Sequence, residues 1–270
     1  MKKLSFLDAK KGKTGHPVLT ITNFEKSSGR CVALLILLFF FVTPVIFAQT
    51  TQDPTGPALW SIEDEDTKIY LFGTIHLMKK NVDWFKDPIR EAFEDTTTLV
   101  TEIDQKKFTE QEQMELLKKM ALLPSGENLS DIVSDDTWEE LFEFLKPLGM
   151  TKEMLNTWKP WYAGLIVTNI VAYQGGFNPQ YGIDMVLSAE AEKLNLDIIG
   201  LEEPEFQFAL FDSLDREESI YFLRDALKER EKITSLFTDL KEAWLSQDFP
   251  KLESLLLESK EENKEFYDTI

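Results

Sequence analysis

The pattern of apolar and polar positions divides the chain into an apolar run, a strand-rich part and a long helical part. The apolar run is nearly continuous over residues 31–48. Short β-branched and apolar stretches between residues 58 and 104, separated by turn residues, predict strands with one helix among them. From residue 106 onward, most apolar residues recur at helical spacing. The chain is therefore expected to combine a few strands with many helices.

The strand-rich part begins with the stretch LWSIEDEDTKIYLFGT, which predicts two strands joined by an acidic turn at residues 63–66. The stretch DPIREAFEDT after it has apolar residues at helical spacing and predicts a helix. Residues 96–104 are β-branched and apolar, and predict a further strand. A strand, a helix and a strand within about 35 residues predict a βαβ unit with a parallel pair.

Residues 106–175 have helical periodicity throughout and predict a helical insertion. A loop at residues 174–182 leads out of it into an amphipathic helix, and residues 196–203 read as a buried strand. Pro204 is expected to open the next of several charged helices. The predicted fold is a helix-rich α/β domain over residues 58–270, with a small, mostly parallel sheet that the insertion splits.

The N-terminal part is expected to direct export. Residues 1–48 read as a tail followed by a signal peptide, with residues 49–57 as a polar linker. Cleavage near Ala48 is favoured, although the apolar run is also long enough for an uncleaved anchor. The protein is accordingly expected to be periplasmic, secreted or anchored, with membrane contact only through this segment.

Composition narrows the possible partners. The formal net charge is −19, which argues against nucleic acid as a partner because phosphates require a basic surface. The hydrophobic content of 43% is typical of a globular core. The only cysteine is Cys31, inside the apolar run, so no disulfide is expected in the exported part. The oligomeric state is not predicted.

Three predicted strands end in residues that can do chemistry. In open α/β sheets ligands lie beyond the carboxyl ends of parallel strands, so these residues are expected to converge. Apart from His16 near the N-terminus, the set holds the only histidine of the chain. Strand by strand, the residues are Gly73 and His76, then Glu102 and Asp104, then Gly200, Glu202 and Glu203.

One imidazole among carboxylates suits two kinds of chemistry. A divalent metal such as Mn, Co or Zn could bind to His76, Glu102 and Glu202. Alternatively, His76 could act as a base that a carboxylate orients.

Each of these residues also has a purely structural interpretation. Gly73 could serve only to turn the chain, His76 to bond the backbone, and Glu102 to end a strand in solvent. Asp184 stands at the start of the predicted helix and is favoured as its N-cap. Glu202 and Glu203 could provide negative charge for the helix that begins at Pro204.

Three stretches follow one another along the chain: IYLFGTIHLM, LVTEID and YGIDMVLSAEAEKLNLDIIGLEEPEFQ. In this order they resemble motifs of the TraB/GumN family, which includes the Tiki metalloproteases. IYLFGTIHLM resembles the family's G-x-x-H motif, and LVTEID resembles its acidic strand end. YGIDMVLSAEAEKLNLDIIGLEEPEFQ resembles the G-[ILM]-D stretch that leads to G-L-E and a glutamine. The resemblance extends from residue 58 to about residue 257.

The resemblance implies a metal-dependent peptide hydrolase in which His76 and Glu102 are central. Gly73, Asp184, Gly200 and Gln207 match motif positions. Other family members regulate peptide signals, so a non-catalytic protein that binds a peptide is the alternative. The family's second G-x-x-H motif is not found in this sequence, and the resemblance therefore predicts a form truncated before it.

Overall fold

The computed structural model describes residues 10–11, 17–18, 56–104 and 110–262. The predicted signal peptide or anchor at 31–48, and all but the end of the linker, lie outside these residues. Within the described part of the chain, none of the helices has both the length and the apolar character needed to cross a membrane.

Eight strands, eleven α-helices and two short 3-10 helices, Lys146–Leu148 and Pro179–Tyr181, make up the described part. The strands are β1 (Lys10–Lys11), β2 (Pro17–Val18), β3 (Leu59–Glu63), β4 (Lys68–Phe72), β5 (Met78–Lys79), β6 (Thr98–Thr101), β7 (Phe177–Asn178) and β8 (Asp197–Gly200). The helices are α1 (Ile89–Glu94), α2 (Glu110–Met120), α3 (Leu129–Ile132), α4 (Asp135–Leu145), α5 (Lys152–Leu155), α6 (Pro160–Gln174), α7 (Ile183–Leu194), α8 (Pro204–Asp212), α9 (Arg216–Lys228), α10 (Arg230–Leu245) and α11 (Phe249–Glu262). The helix-rich α/β class predicted from the sequence is confirmed, and Pro204 begins a helix as expected.

The strands form separate two-stranded sheets, and only β6–β8 among them is parallel. The predicted parallel βαβ pair between β4 and β6 is therefore wrong, and so is a sheet that is mostly parallel. β4 instead pairs antiparallel with β3. The reason is the acidic turn, where Asp64 accepts a hydrogen bond from the backbone N–H of Thr67 at 2.8 Å. A tight hairpin costs little loop-closure entropy, so β3 pairs along one edge of β4, while the parallel partner of β6 is β8.

Helices α4, α6 and α9 enclose the larger apolar cluster, which we call the helical core. Leu141 and Leu145 of α4, Ala163 of α6 and Leu223 of α9 are fully buried in it. Helices α4 and α9 both begin at residues whose side chains cap the helix. The Ser134 side chain accepts a hydrogen bond from the backbone N–H of Thr137, and α9 opens with a complete capping box at Asp215 and Glu218.

A second cluster, which we call the site core, lies between the small sheets and helices α1, α7 and α10. It is built around Met78, Trp84, Ile183 and Trp244. Leu99 of β6 and Ile198 of β8 pack against it from the parallel pair. Their strand neighbours Val100 and Ile199 point away and are 51% and 49% exposed. The parallel pair is therefore apolar on both faces but covered on only one, unlike most parallel sheets.

Candidate functional site

His76 and Asp184 meet because the strands beside them pair. β5 follows His76 directly and pairs antiparallel with β7, which lies just before α7. Asp184 stands in the first turn of α7. The pairing brings Nδ1 of His76 within 2.6 Å of Oδ2 of Asp184, the distance of a strong charge-assisted hydrogen bond.

The parallel pair brings Glu102 to the other side of the same imidazole. Glu102 follows the last residue of β6, and its Oε2 lies 3.6 Å from Nε2 of His76. The end of β8 leads into α8, whose Gln207 donates a hydrogen bond from Nε2 to the same oxygen of Glu102 at 3.1 Å. The structure thus brings together four of the residues that the sequence singled out: His76, Glu102, Asp184 and Gln207.

The electrostatics of the cluster favour a charged imidazole. The hydrogen bond to Asp184 and then the nearby carboxylate of Glu102 raise the pKa of His76 to about 10, against the opposing effect of burial. Burial acts to raise the pKa of Asp184, but the hydrogen bond and charge of His76, with a hydrogen bond from Thr74, hold it below its usual value. At neutral pH the cluster therefore contains an imidazolium that donates from Nδ1 to Asp184 and carries a second proton on Nε2.

The position of Asp184 corrects its predicted role. The N-cap of α7 is Gly182, and no side chain caps that helix end. The carboxylate of Asp184 bonds His76 instead. Because an aspartate at the start of a helix fits both roles, the local sequence could not distinguish a cap from a partner 108 residues away.

Gly182, which opens the G-[ILM]-D motif but was not predicted as a site residue, is required by a close approach. A Cβ atom at this position would stand 2.1 Å from the carbonyl oxygen of His76, so a larger residue cannot fit without moving the loop. Gly200 is similar, because its Cβ would lie 2.5 Å from the backbone nitrogen of Asp104. Gly73 has open space around it and no left-handed φ, so neither sterics nor backbone conformation requires glycine there.

Glu202 lies at the same strand end but not in the His76 cluster. Its backbone N–H donates to the carbonyl of Glu102 at 2.8 Å, which extends the pairing of the strands by one step. Its side chain lines a cavity of about 120 Å³ beside Pro204 and Gly200. Oε2 of Glu202 is buried without a hydrogen-bond partner in the described structure. Glu203 is the N-cap residue of α8, although its side chain makes no capping bond.

The donor set around His76 falls short of a metal site. Asp184 on Nδ1 is the kind of supporting carboxylate that metal-binding histidines use, and Glu102 faces Nε2. Across the described ranges, however, no group of three or more His, Cys, Asp or Glu side chains is arranged to hold a metal ion. On their own the described residues do not complete such a site, and metal binding by His76, Glu102 and Glu202 stays a prediction.

Comparison with known proteins decides the family. The sequence profile of the TraB/PrgY/gumN family matches residues 58–270. The chain belongs to this family. The resemblance read from the three motifs is thereby confirmed, and His76, Glu102, Asp184 and Gln207 all lie within the matched region.

Members of the family with curated descriptions include metalloproteases. Human "Metalloprotease TIKI1" is 27% identical over 206 residues, which cover 67% of this chain and 40% of that protein. "Metalloprotease TIKI1" of Danio rerio is 24% identical over 208 residues, covering 68% and 41%. "Uncharacterized protein YbaP" of Escherichia coli strain K12 is 21% identical over 192 residues, covering 71% and 69%. The chain spans about two fifths of the length of the TIKI1 relatives. No solved structure matches it significantly.

Proposed function

We propose that the protein is a hydrolase of the TraB/PrgY/gumN family that acts on peptides. The observation that carries the proposal is an imidazole held between two carboxylates that come from different segments of the chain. Asp184 fixes the ring through Nδ1, and the 3.6 Å gap between Nε2 and Glu102 faces a half-exposed surface. The names of the TIKI1 relatives support proteolysis as the activity.

The charges of the cluster suit general acid–base hydrolysis. Because its pKa is raised to about 10, His76 keeps its Nε2 proton at neutral pH and can donate it to a carbonyl oxygen that gains negative charge. Glu102 can accept a proton from an attacking water molecule. Gln207, bonded to Oε2 of Glu102, holds that carboxylate at the ring.

A divalent metal, Mn, Co or Zn, is part of the proposal because relatives are named metalloproteases. His76 and Glu102 would be the donors and Asp184 a support on Nδ1; a metal would replace the Nε2 proton of His76, so the acid role of His76 belongs to the metal-free cluster. When bound, a metal would polarise a carbonyl group and activate water. A peptide is the proposed substrate. The apolar run at residues 31–48 makes export the proposed route, to the periplasm, the exterior or a membrane anchor.

The test is peptide cleavage by the full chain, read by mass spectrometry on a peptide mixture of defined composition. The assay runs with chelator and with added Mn, Co or Zn. We expect His76→Gln and Glu102→Gln to lower cleavage by about 10²- to 10⁴-fold, the usual worth of general acid–base catalysis. Asp95→Asn is the matched control, since Asp95 is a carboxylate that bonds Tyr70 and Lys68 away from the cluster. Cleavage that survives both cluster variants contradicts the proposal.

Non-catalytic peptide binding is the second candidate. The observation in its favour is that the described residues provide only two metal donors at His76. On this alternative, the full chain binds peptides from the same mixture without cleaving them under any of the metal conditions. Retention of intact peptides, reduced in Glu102→Gln, would identify this function.

A further inference from the structure

We propose that Trp244 is a positioning residue for His76 that acts through the carbonyl group of Gly73. Trp244 belongs to α10 and is distant from the cluster in sequence. Its indole N–H donates a hydrogen bond to the Gly73 carbonyl at 2.9 Å, across a separation of 171 residues. The catalytic meaning of this contact rests on the proposed function, but the contact itself can be tested without it.

The hydrogen bond is made to a glycine, the residue whose own side chain restricts the backbone least. β4 ends at Phe72, and Gly73 has neither a steric neighbour nor a left-handed φ to fix its conformation. The Trp244 indole is buried and packs against Phe72 with ring centroids 5.8 Å apart. Trp244 therefore contacts both the strand end, where it packs on Phe72 together with Trp84, and the loop start, where it alone of the two donates a hydrogen bond to Gly73.

The far end of the same loop is held by α7. The backbone N–H of Ile183 donates to the carbonyl of Ile75 at 3.0 Å, and Gly182 lies directly against the carbonyl of His76. Since α7 also carries Asp184, it fixes both the backbone and the Nδ1 side of His76. The loop is thus held at both ends. At one end it is held by α7, which carries Asp184 of the cluster, and at the other end by Trp244, which lies outside the cluster.

Loss of the hydrogen bond from Trp244 to Gly73 should make the imidazole of His76 more mobile without unfolding the protein. With the start of the loop free to rotate, the short bond from His76 to Asp184 and the longer approach to Glu102 can no longer both be maintained. The expected result is a weaker Nδ1–H hydrogen bond and a less ordered imidazole. If the protein hydrolyses peptides, kcat falls while KM stays near its original value, because the substrate contacts are not altered.

The experiment follows the imidazole of His76 by NMR at one fixed pH in the full chain labelled with ¹⁵N-histidine. The chain has two histidines, so His76→Gln assigns the signals. The original protein should show a downfield, slowly exchanging Nδ1 proton on His76. In Trp244→Phe this proton should exchange about five-fold faster, as expected when a hydrogen bond of ordinary strength is lost.

Trp84→Phe is the matched control. Trp84 is buried in the same site core and its ring lies 6.1 Å from that of Trp244, but no hydrogen bond in the described structure joins its indole to the loop. We expect it to lower thermal stability comparably and to leave the His76 signal unchanged. An unchanged signal in Trp244→Phe, or an equal change in Trp84→Phe, overturns the proposal.

A second variant keeps the test decisive if Trp244→Phe does not fold. Replacement of Trp244 by 3-benzothienylalanine keeps the shape of the ring and substitutes sulfur for the N–H group. The same faster exchange is expected, and an unchanged signal overturns the proposal. Because the signal is read without substrate, a protein that cleaves nothing can still confirm the positioning role of Trp244. The converse result is cleavage that depends on His76 while Trp244→Phe leaves kcat unchanged. That result would refute the positioning role of Trp244 and leave the proposed function standing.

Discussion

The helical core and the site core are built differently, and the difference separates stability from chemistry. The helical core is mostly aliphatic, and its central leucines on α4 and α9 have no solvent exposure. The site core is rich in aromatic residues, and the strands beside it are thin and half exposed. Aliphatic side chains packed among long helices stabilise by burial alone. Each core contains two buried tryptophans, but in the site core the N–H of Trp244 donates to the loop at Gly73, so this core both packs and positions a loop.

The largest effect should come from the helical core, in a variant that leaves the site intact. Leu223→Ala removes a fully buried side chain of α9 at its contact with α6. We expect the free energy of unfolding to fall by about 2–5 kcal/mol, from lost burial and the cavity left behind. Urea unfolding measures this value. Leu148→Ala, at a position that is 50% exposed, is the control and should change it by less than about 0.5 kcal/mol.

The Leu223→Ala result also tests the separation of the two cores. The NMR signal of His76 should stay as in the original protein under conditions where the variant is folded. A shifted His76 signal would show that a change in the helical core alters the structure of the site core.

Asp184→Asn should destabilise the protein less than Leu223→Ala but change the protonation of His76 more. The change keeps the shape of the side chain and removes the charge that pairs with His76. Since that hydrogen bond is the largest cause of the raised pKa of His76, the pKa should fall towards its usual value. Unfolding free energy should drop by about 1–2 kcal/mol. NMR titration and urea unfolding measure the two effects.

Asp212→Asn is the matched control for Asp184→Asn. Asp212 pairs with Lys159 at 2.5 Å beside the helical core, well separated from His76 in the chain. It should leave the pKa of His76 unchanged. A similar fall in that pKa with the control would mean that long-range charge, and not the Asp184 contact, sets the value.

The sequence predicted local structure well and long-range pairing poorly. The hairpin of β3 and β4, helix α1 and the strand β8 follow from alternation, helical spacing and turn residues. The partner of β6 could not be predicted in this way, because its parallel pairing is with β8, a strand that lies beyond the helical insertion and α7. The family motifs identified His76, Glu102, Asp184 and Gln207 from the sequence. The hydrogen bond from Trp244 to Gly73 belongs to none of these motifs and joins residues 171 positions apart, so the sequence did not predict it.

The stability of the folded protein should depend on pH through His76. The pKa of its imidazole is about 10 in the folded state and about 6.5 when unfolded, so the folded protein binds the proton more tightly. This stabilisation is complete below about pH 6.5 and is lost as the pH rises to about 10. The side chain is 48% exposed, so solvent screens the effect and we expect about 1 kcal/mol.

Urea unfolding from pH 6 to 10 measures this dependence. His76→Gln is the control, and it should remove that part of the pH dependence while retaining the slope that other groups produce. Identical slopes in the two proteins would contradict the raised pKa.

The smallest effect on folding should come from the uncovered face of the parallel pair. Val100→Thr with Ile199→Thr keeps β-branched residues in β6 and β8 and replaces a methyl group of Val100 and the ethyl group of Ile199 with hydroxyls. The free energy of unfolding should change by less than about 0.5 kcal/mol, since both positions are half exposed. Light scattering should show less self-association. A loss above about 1.5 kcal/mol would mean that this face is packed in solution, and would weaken the contrast between the two cores.

The long sequence separations in the cluster have a consequence for the order of folding. His76 and Asp184 are 108 residues apart, and Glu102 and Gln207 are 105 apart, with most of the helices between them. Contacts of such high contact order form late, after the intervening segments have lost their freedom. The hairpin and the helices can form on an emerging or partly folded chain, but the charged cluster cannot. The charged cluster is therefore a property of the finished fold, and the hydrolysis proposed for it would begin only once folding is complete.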